Sequence, residues 1–341
     1  QVFLLLIRPA DRRLPPEQLL QFVGRQPAKE GGALQDGNKS VHKPLLSLDF
    51  QLILSIVPTF SEKRNPFSLR GDTMKLTVLT DNHTHIDQYY LGEPALCLHI
   101  ETDGRKILLD TGYSDVCLRN SQAMGIDLRQ VDTIVLSHGH NDHTRGLRFL
   151  RDAGLLEGKT VLTHPLCFQP KRVDGQDIGC PFSARELSQS CNLHRSTEPV
   201  ELTPHLTYLG EIPTTQVFEP RTPIGETWDG TAWRPDLLLD DSALVYHTSD
   251  GLYILTGCSH SGICNIIEYA KTLFPDRPVL GVIGGFHLFQ CDQRLQDTIA
   301  YFQAQNLQHL YPCHCVSFRA KAEMHRAIPI HEVGVGLQLN W

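Results

Sequence analysis

From residue 74 to the end of the chain, short apolar runs end in Gly, His or Asp and lead into segments with helical spacing of apolar residues. The alternating run after Met74 predicts a first strand, and the turn residues Asp103 and Gly104 predict a hairpin between the next two. This order of strands and helices is typical of an α/β fold. The predicted strands are residues 75–80, 95–100, 106–109 and 133–136, and the predicted helices are residues 114–124 and 144–153.

Three strands of the second half each lead into a loop that contains a histidine. Residues 252–256 lead to Gly257-Cys258-Ser259-His260, residues 279–283 to Gly284-Gly285-Phe286-His287, and residues 310–311 to Pro312-Cys313-His314-Cys315. The strand of residues 133–136 likewise leads to Ser137 and His138. Strands of one sheet that feed helices gather their carboxyl ends at one edge, where ligands bind. The pattern favours one site that receives histidines from four strand ends.

The two remaining parts of the chain have weaker patterns. Residues 170–235 are rich in Pro, Gly, Ser and Thr, which predicts long loops around a few short strands, such as residues 206–210. Residues 1–73 have no sustained period, and Met74 is the first methionine. We therefore expect Met74 to be the natural start, residues 1–73 to be an unstructured upstream extension, and residues 74–341 to be the folded domain. The alternative is a small docking segment with residues 50–57 as a strand.

Composition and charge narrow the class of protein. The chain has 41% hydrophobic and 20% charged residues, a net charge of −7 and no stripe of Lys and Arg, which argues against a nucleic-acid partner. No apolar stretch approaches the roughly 20 residues needed to cross a bilayer, so no membrane span is expected. The ten cysteines are spread through a large chain without a recognisable secretory leader. We expect a reduced, cytoplasmic protein.

The strongest chemical signal is the segment Ser137-His138-Gly139-His140-Asn141-Asp142-His143-Thr144. Imidazole nitrogens and carboxylate oxygens are ordinary zinc ligands, and their tight spacing on a loop between strand and helix points them at two neighbouring positions. The segment matches the His-x-His-x-Asp-His signature, and here the sequence resembles the metallo-β-lactamase superfamily. The resemblance implies a four-layer αββα sandwich with metals at the shared edge of its two sheets.

The resemblance also implies a ligand set. His138 and His140 would bind a first metal, Asp142 and His143 a second, and the late His314 would complete the second site. Two metals would polarise the substrate and lower the pKa of a bridging water to about 7, with Asp142 orienting this nucleophile. Asp110 would orient ligand histidines from behind, with simple turn formation as the alternative. We expect one or two Zn²⁺ ions, with Mn²⁺ or Fe²⁺ as alternatives.

Four further residues are candidates whose roles stay open. Cys258 stands where many relatives carry a bridging aspartate, and it is either a thiolate ligand or a buried thiol. His260 is predicted to be a ligand, with substrate binding or a core position as alternatives. His287 is predicted to act as a general acid or phosphate contact, with additional ligation or a capping or core position as alternatives. Asp241 either reaches the pocket or forms a turn.

Taken together, the histidine motif, Gly-Cys-Ser-His-Ser-Gly-Ile, Gly-Gly-Phe-His-Leu and the late Pro-x-His-Cys are similar to the branch named for 7,8-dihydropterin-6-methyl-4-(β-D-ribofuranosyl)aminobenzene 5′-phosphate synthase. Three functions compete. The first is hydrolysis of a small phosphoester, ester or lactone by metal-activated hydroxide, with Asp142, His260 and His287 as catalytic residues. The second is a synthase-type transfer, and the third is a non-catalytic metal or ligand sensor. The expected partner is a small molecule, phosphorylated in some of these cases, and the oligomeric state stays open.

Overall fold

The computed structural model describes residues 73–341, and the expected upstream extension and the strand at residues 50–57 lie outside these. The described strands are β1 (Lys75–Thr80), β2 (Cys97–Thr102), β3 (Arg105–Leu109), β4 (Thr133–Val135), β5 (Thr160–Thr163), β6 (Lys171–Val173), β7 (Gln176–Asp177), β8 (Asn192–Arg195), β9 (Val200–Thr203), β10 (Leu206–Tyr208), β11 (Glu226–Trp228), β12 (Trp233–Pro235), β13 (Ala243–His247), β14 (Leu252–Thr256), β15 (Val279–Gly284), β16 (His309–Pro312) and β17 (Gln338–Asn340). The α-helices are α1 (Val116–Ala123), α2 (Asn141–Thr144), α3 (Leu147–Asp152), α4 (Ala184–Leu187), α5 (Ile263–Leu273), α6 (Gln293–Gln305) and α7 (Phe318–Ala327).

Two large sheets form the centre of the fold. The first has seven strands in the order β17-β1-β2-β3-β4-β5-β8, and β3, β4, β5 and β8 run parallel to one another. The second has six strands in the order β16-β15-β14-β13-β10-β9, and β14, β15 and β16 are parallel. The predicted hairpin of β2 and β3 is confirmed, with Thr102 opposite Arg105. None of the helices within residues 73–341 is long and apolar enough to cross a membrane.

Three apolar layers show how the sheets and helices stack. Alternate residues of β14 point to opposite faces, since Ile254 packs with the helices α5, α6 and α7 whereas Leu255 packs between the two sheets. In β4, Val135 lies in the layer between the sheets, and Ile134 lies in the outer layer with Leu147 of α3. The order is helices, sheet, sheet, helices, so the predicted αββα sandwich is confirmed.

A third, four-stranded sheet with the order β12-β11-β6-β7 lies in the region where we predicted long loops. Its strands have only two or three residues each, and they are rich in charged side chains and tryptophan. A cation–π contact braces it, with the Arg172 guanidinium 3.9 Å from the ring centroid of Trp233. A few short strands were expected in this region, but their pairing into a separate sheet was not, because such short strands carry no readable period.

The ends of β4, β14, β15 and β16 converge, although β4 belongs to the first sheet and the other three strands to the second. The histidines that follow them meet across the edge of the sandwich rather than along one sheet. The helix predicted at residues 144–153 begins earlier, as α2, and is interrupted before α3. Gly146 stands in this interruption because a β-carbon there would lie 1.9 Å from the carbonyl oxygen of Thr111.

Candidate metal centre

The segment from the end of β4 through α2 carries four of the predicted ligands, with His138 and His140 in the loop and Asp142 and His143 in the helix. Asp110, directly after β3, fixes this segment. The Asp110 carboxylate accepts hydrogen bonds from the amide and the hydroxyl of Ser137, both at 2.7 Å. It also lies 2.6 Å from Nδ1 of His143. A carboxylate only accepts, so His143 Nδ1 carries a proton and Nε2 is turned towards the other ligands. Asp110 thus fixes the position of the loop at Ser137 and the orientation of the His143 ring, on the side away from the other ligands.

The first cluster consists of His138, His140 and His260. Their ring centroids are 4.7 Å apart for His138–His140 and His138–His260, and 5.0 Å apart for His140–His260, with the planes nearly perpendicular. Nε2 of His138, Nε2 of His140 and both ring nitrogens of His260 are buried and have no hydrogen-bond partner within residues 73–341. Buried polar atoms are normally satisfied, so unpaired nitrogens that converge like these fit a metal ion.

Burial also keeps this cluster uncharged. It lowers the pKa of His138 and His260 well below the usual value and that of His140 to about 4, where the Asp142 carboxylate partly opposes it. Neighbouring imidazoles lower all three pKa values further, and Lys171 does so for His138 and His140. The three rings are therefore neutral at pH 7, the state in which imidazole binds metals.

The second cluster consists of Asp142, His143, Cys258 and His314, whose ligand atoms all lie within 4.8 Å of one another. His143 Nε2 is 3.2 Å from both Cys258 Sγ and His314 Nε2, and Asp142 Oδ2 is 3.4 Å from His314 Nε2. Burial acts to lower the pKa of His143, but the carboxylates of Asp142 and Asp110 raise it to about 9. A metal at Nε2 would bind with release of a proton.

Cys258 lies between the two clusters. Its sulfur also lies within 4.8 Å of ligand atoms of both His138 and His260. His140 is farther away, and its ring nitrogens belong to neither set of ligand atoms within 4.8 Å of one another. Burial raises the pKa of the Cys258 thiol, so thiolate formation there depends on a nearby positive charge. The donor set of nitrogen, carboxylate and sulfur suits zinc.

Asp81 and Asn82 support the second cluster and were missed in the sequence. Asp81 Oδ1 accepts the amide hydrogen of His314 at 2.9 Å, and Asn82 Oδ1 lies 3.1 Å from His314 Nδ1. Asn82 therefore acts on the ring that carries the predicted final ligand, as Asp110 does on His143. The available signal was an Asp-Asn pair directly after the first strand, at the same edge as the other strand ends.

A buried charge network holds the centre of the histidine loop and was also missed. Lys171 of β6 is 2% exposed and donates to Asp236 Oδ2 at 2.8 Å and to Asp240 Oδ1 at 3.1 Å. The other oxygen of Asp240 accepts the amide hydrogen of Gly139 at 2.7 Å. Gly139 has no room for a side chain, since a β-carbon would lie 2.2 Å from the carbonyl oxygen of Cys167. The third sheet thus reaches the loop between His138 and His140.

Four residues at the strand ends that form the site have left-handed backbone. Asp110, Ser259, His287 and His314 have φ values of 61°, 55°, 48° and 49°. Such φ values cost side-chain-bearing residues free energy and persist where the surroundings fix them, often at functional sites.

The remaining two candidates, Asp241 and His287, contact His260 or its loop. Asp241 is fully buried and accepts the amide hydrogen of Ser261 at 2.9 Å, so it holds the loop that carries His260 and does not line the cavity. His287 lines the cavity, with its ring centroid 4.6 Å from that of His260. Burial lowers the pKa of His287 to about 4, aided by Arg294.

Both clusters form the floor of a cavity of about 460 Å³. His140, Asp142, Cys258, His260 and His314 are exposed to this cavity, whereas His138 and His143 are behind them. A volume of this size accommodates a small molecule. The arrangement can therefore bring a small substrate directly onto a group of nitrogen, oxygen and sulfur donors.

Comparisons with known proteins agree with this geometry. The sequence profile of the metallo-beta-lactamase superfamily matches residues 91–155. An uncharacterized protein of Methanocaldococcus jannaschii is 31% identical over 251 residues, which are 73% of this chain and 93% of that protein. The 7,8-dihydropterin-6-methyl-4-(beta-D-ribofuranosyl)-aminobenzene-5'-phosphate synthase of the same organism is 27% identical over 266 residues, 73% of this chain and 90% of the synthase. A solved structure of a metal-dependent hydrolase of the beta-lactamase superfamily superposes with a TM-score of 0.68 at 28% identity, covering 78% of this chain and 98% of that one.

Proposed function

This chain belongs to the metallo-beta-lactamase superfamily, and on that premise we propose that it is a zinc-dependent hydrolase of a small phosphoester, ester or lactone. The observation that carries the proposal is the pair of adjacent donor clusters on the cavity floor, with the Cys258 thiol close to ligand atoms of both. A purely structural metal site has all its positions filled by protein, whereas a catalytic site stays open on one side. The cavity provides that open side.

The residues divide between two metal positions. His138, His140 and His260 would hold one zinc ion, and Asp142, His143 and His314 would hold the other, with Cys258 between them. When bound, zinc supplies Lewis acidity, which polarises the substrate and makes water nucleophilic at neutral pH. Asp110 and Asn82 keep the rings of His143 and His314 aimed at the cluster.

Asp142 is the carboxylate placed to handle the proton of the attacking water. Its side chain is 30% exposed and lines the cavity. Burial acts to raise the pKa of Asp142, but His143 and His314 hold it well below its usual range. It is therefore ionised at neutral pH and able to orient water.

His287 was predicted to act as a general acid, but its ring is not protonated on both nitrogens at neutral pH. With a pKa of about 4 it is neutral at pH 7, so its ring has one N–H donor and one acceptor. From the cavity wall beside His260, the N–H would orient the leaving group of the substrate. Synthase-type transfer is the second candidate, because one relative with 27% identity bears the name of such an enzyme.

Metal analysis combined with a substrate screen tests the proposal. Purified protein should contain one or two zinc ions per chain and should hydrolyse at least one class among phosphodiesters, phosphomonoesters and lactones. His140→Ala should abolish this turnover, and the matched control His194→Ala, on the exposed strand β8, should keep it. Metal-loaded protein with no turnover in any class would instead indicate a sensor, and equal turnover by His140→Ala would contradict metal-dependent hydrolysis.

A further inference from the structure

The cavity above the donor clusters has apolar walls that come from all three sheets. Tyr113 follows β3 of the first sheet, and Phe289 follows β15 of the second. Ile178 follows β7 and Ile224 precedes β11 of the small third sheet. Tyr113 is 36% exposed and Phe289 is 48% exposed, so both rings are accessible.

Tyr113 and Phe289 are held in place by neighbouring side chains. The Arg145 guanidinium covers one face of the Tyr113 ring at 4.2 Å from its centroid, and the Tyr113 amide donates to Glu93 Oε1 at 2.9 Å. The Phe289 ring packs edge-on against His287, with centroids 4.8 Å apart. Both rings are thus fixed surfaces beside the clusters, and fixed aromatic rings bind flat or apolar groups with little loss of conformational entropy.

The charge of the cavity is as distinctive as its walls. Among the described residues, those that line it include no Lys and no Arg, and Asp142 is the only Asp or Glu. The nearby Lys171 is buried and bound to two aspartates. The Arg145 guanidinium is stacked on the Tyr113 ring and does not itself line the cavity. An anionic group on the substrate, away from the reacting centre, would lose water here without gaining a cation.

Resting on the hydrolase function proposed above, we propose that this cavity selects substrates with a single anionic or polar reacting group attached to an uncharged aromatic or apolar group. The reacting group would lie on the donor clusters. The uncharged group would lie between Tyr113 and Phe289, with Ile178 and Ile224 on the third side. Tyr113 and Phe289 are the specificity-determining residues, and substrates with a second, remote phosphate or carboxylate are discriminated against.

Three non-hydrolysable phosphonates separate the contributions of these groups. Zinc-loaded full-length protein is titrated by calorimetry with methylphosphonate, phenylphosphonate and 4-carboxyphenylphosphonate, which share one anionic group and differ in the group attached to it. Phenylphosphonate should bind about tenfold more tightly than methylphosphonate, the order of magnitude of aromatic packing. The remote carboxylate of 4-carboxyphenylphosphonate should remove most of that gain.

Variants then assign the preference to named side chains. Tyr113→Ala and Phe289→Ala should each lose most of the preference for phenylphosphonate and leave methylphosphonate binding unchanged. Ile224→Lys should increase the affinity for 4-carboxyphenylphosphonate, because it supplies the missing cation. Phe318→Ala is the matched control, since this aromatic ring is 85% exposed on α7 and outside the cavity.

The outcomes separate this inference from the function on which it rests. If methylphosphonate binds but phenylphosphonate binds no better, or if the carboxylated compound binds most tightly, the specificity inference is wrong and the metal-centred function stands. If none of the three binds the zinc-loaded protein, the specificity inference is also wrong, and turnover in the substrate screen then decides separately whether the hydrolase function stands.

Discussion

Asp240 and Gly139 are 101 positions apart in the chain, yet the Gly139 amide donates to an Asp240 oxygen at 2.7 Å in the fully buried interior. The other Asp240 oxygen binds Lys171, whose charge is shared with Asp236. Burial acts to raise the pKa of Asp240, but the Lys171 ammonium lowers it, so the carboxylate is ionised. A charged acceptor therefore holds the peptide between the ligands His138 and His140.

The first prediction separates this positioning role from simple stability. Asp240→Ala and Asp236→Ala should both destabilise the fold by about 3 kcal/mol or more, because each leaves Lys171 with one partner in a buried site. Only Asp240→Ala also releases Gly139. We expect it to weaken zinc binding about ten- to hundredfold, as loss of outer-shell support usually does. Competition with a chromophoric chelator measures the affinity. Equal zinc affinities in the two variants would mean that Asp240 does not position the loop.

A second prediction concerns Asp110, which accepts hydrogen bonds from Ser137 and lies 2.6 Å from His143 Nδ1. Asp110→Asn keeps the size of the side chain but replaces one acceptor by an amide donor, which opposes the protonated Nδ1. Zinc affinity should fall about ten- to hundredfold. Asp132→Asn is the control, because this residue binds the half-exposed Arg105 away from the cavity. Unchanged zinc affinity in Asp110→Asn would show that His143 binds zinc without the hydrogen bond from its Nδ1 to Asp110.

The large elements could be read from the sequence because their apolar spacing is a local property. The strand ends that carry His138, His260, His287 and His314 were predicted, and the structure brings all four to one region. Their division between two sheets could not be predicted, because strand order depends on contacts between distant segments. The pattern of a strand that ends at a histidine is the same in either sheet.

Lys171 shows why other parts of the site were missed. Lysine is almost never fully buried unless it is paired, and the partners Asp236 and Asp240 are 65 and 69 positions away. The strand that holds Lys171 has three residues, too few for a period. The residues around Lys171 in the sequence therefore do not distinguish it from a surface lysine. Gly139 likewise resembles an ordinary loop glycine in the sequence, and only its close approach to Cys167 in the structure shows that a side chain would not fit.

A third prediction tests whether Cys258 is a ligand. Its thiol lies 3.2 Å from His143 Nε2 and groups with both clusters. Protein reconstituted with Co²⁺ should show a near-ultraviolet sulfur-to-metal charge-transfer band that disappears in Cys258→Ser. Cys264→Ser is the matched control, because that buried thiol belongs to neither cluster and its loss should leave the band intact. Cobalt-loaded wild-type protein without the band would identify Cys258 as a packed thiol only.

The last prediction concerns stability against pH and uses a histidine outside the metal centre. His99 on β2 is 1% exposed, and neither ring nitrogen has a hydrogen-bond partner among the described residues. Burial lowers the pKa of His99 to about 4, with Glu101 partly opposing the effect. In the unfolded chain the pKa is about 6.5. The unfolded state therefore takes up a proton first as the pH falls, and stability present above pH 6.5 is lost between pH 6.5 and 4.

The expected loss over this whole range is at most about 3.5 kcal/mol, because the pKa differs by about 2.5 between the two states and each pKa unit corresponds to about 1.4 kcal/mol. His99→Leu removes the titrating group, so the free energy of unfolding in urea should decline less between pH 7 and 5 than in wild type. The histidines of the metal centre titrate equally in both proteins and cancel in this comparison. His194→Leu serves as control, because a ring exposed on β8 meets water in both states. Parallel pH profiles for wild type and His99→Leu would show that His99 accepts its proton in the folded protein without cost.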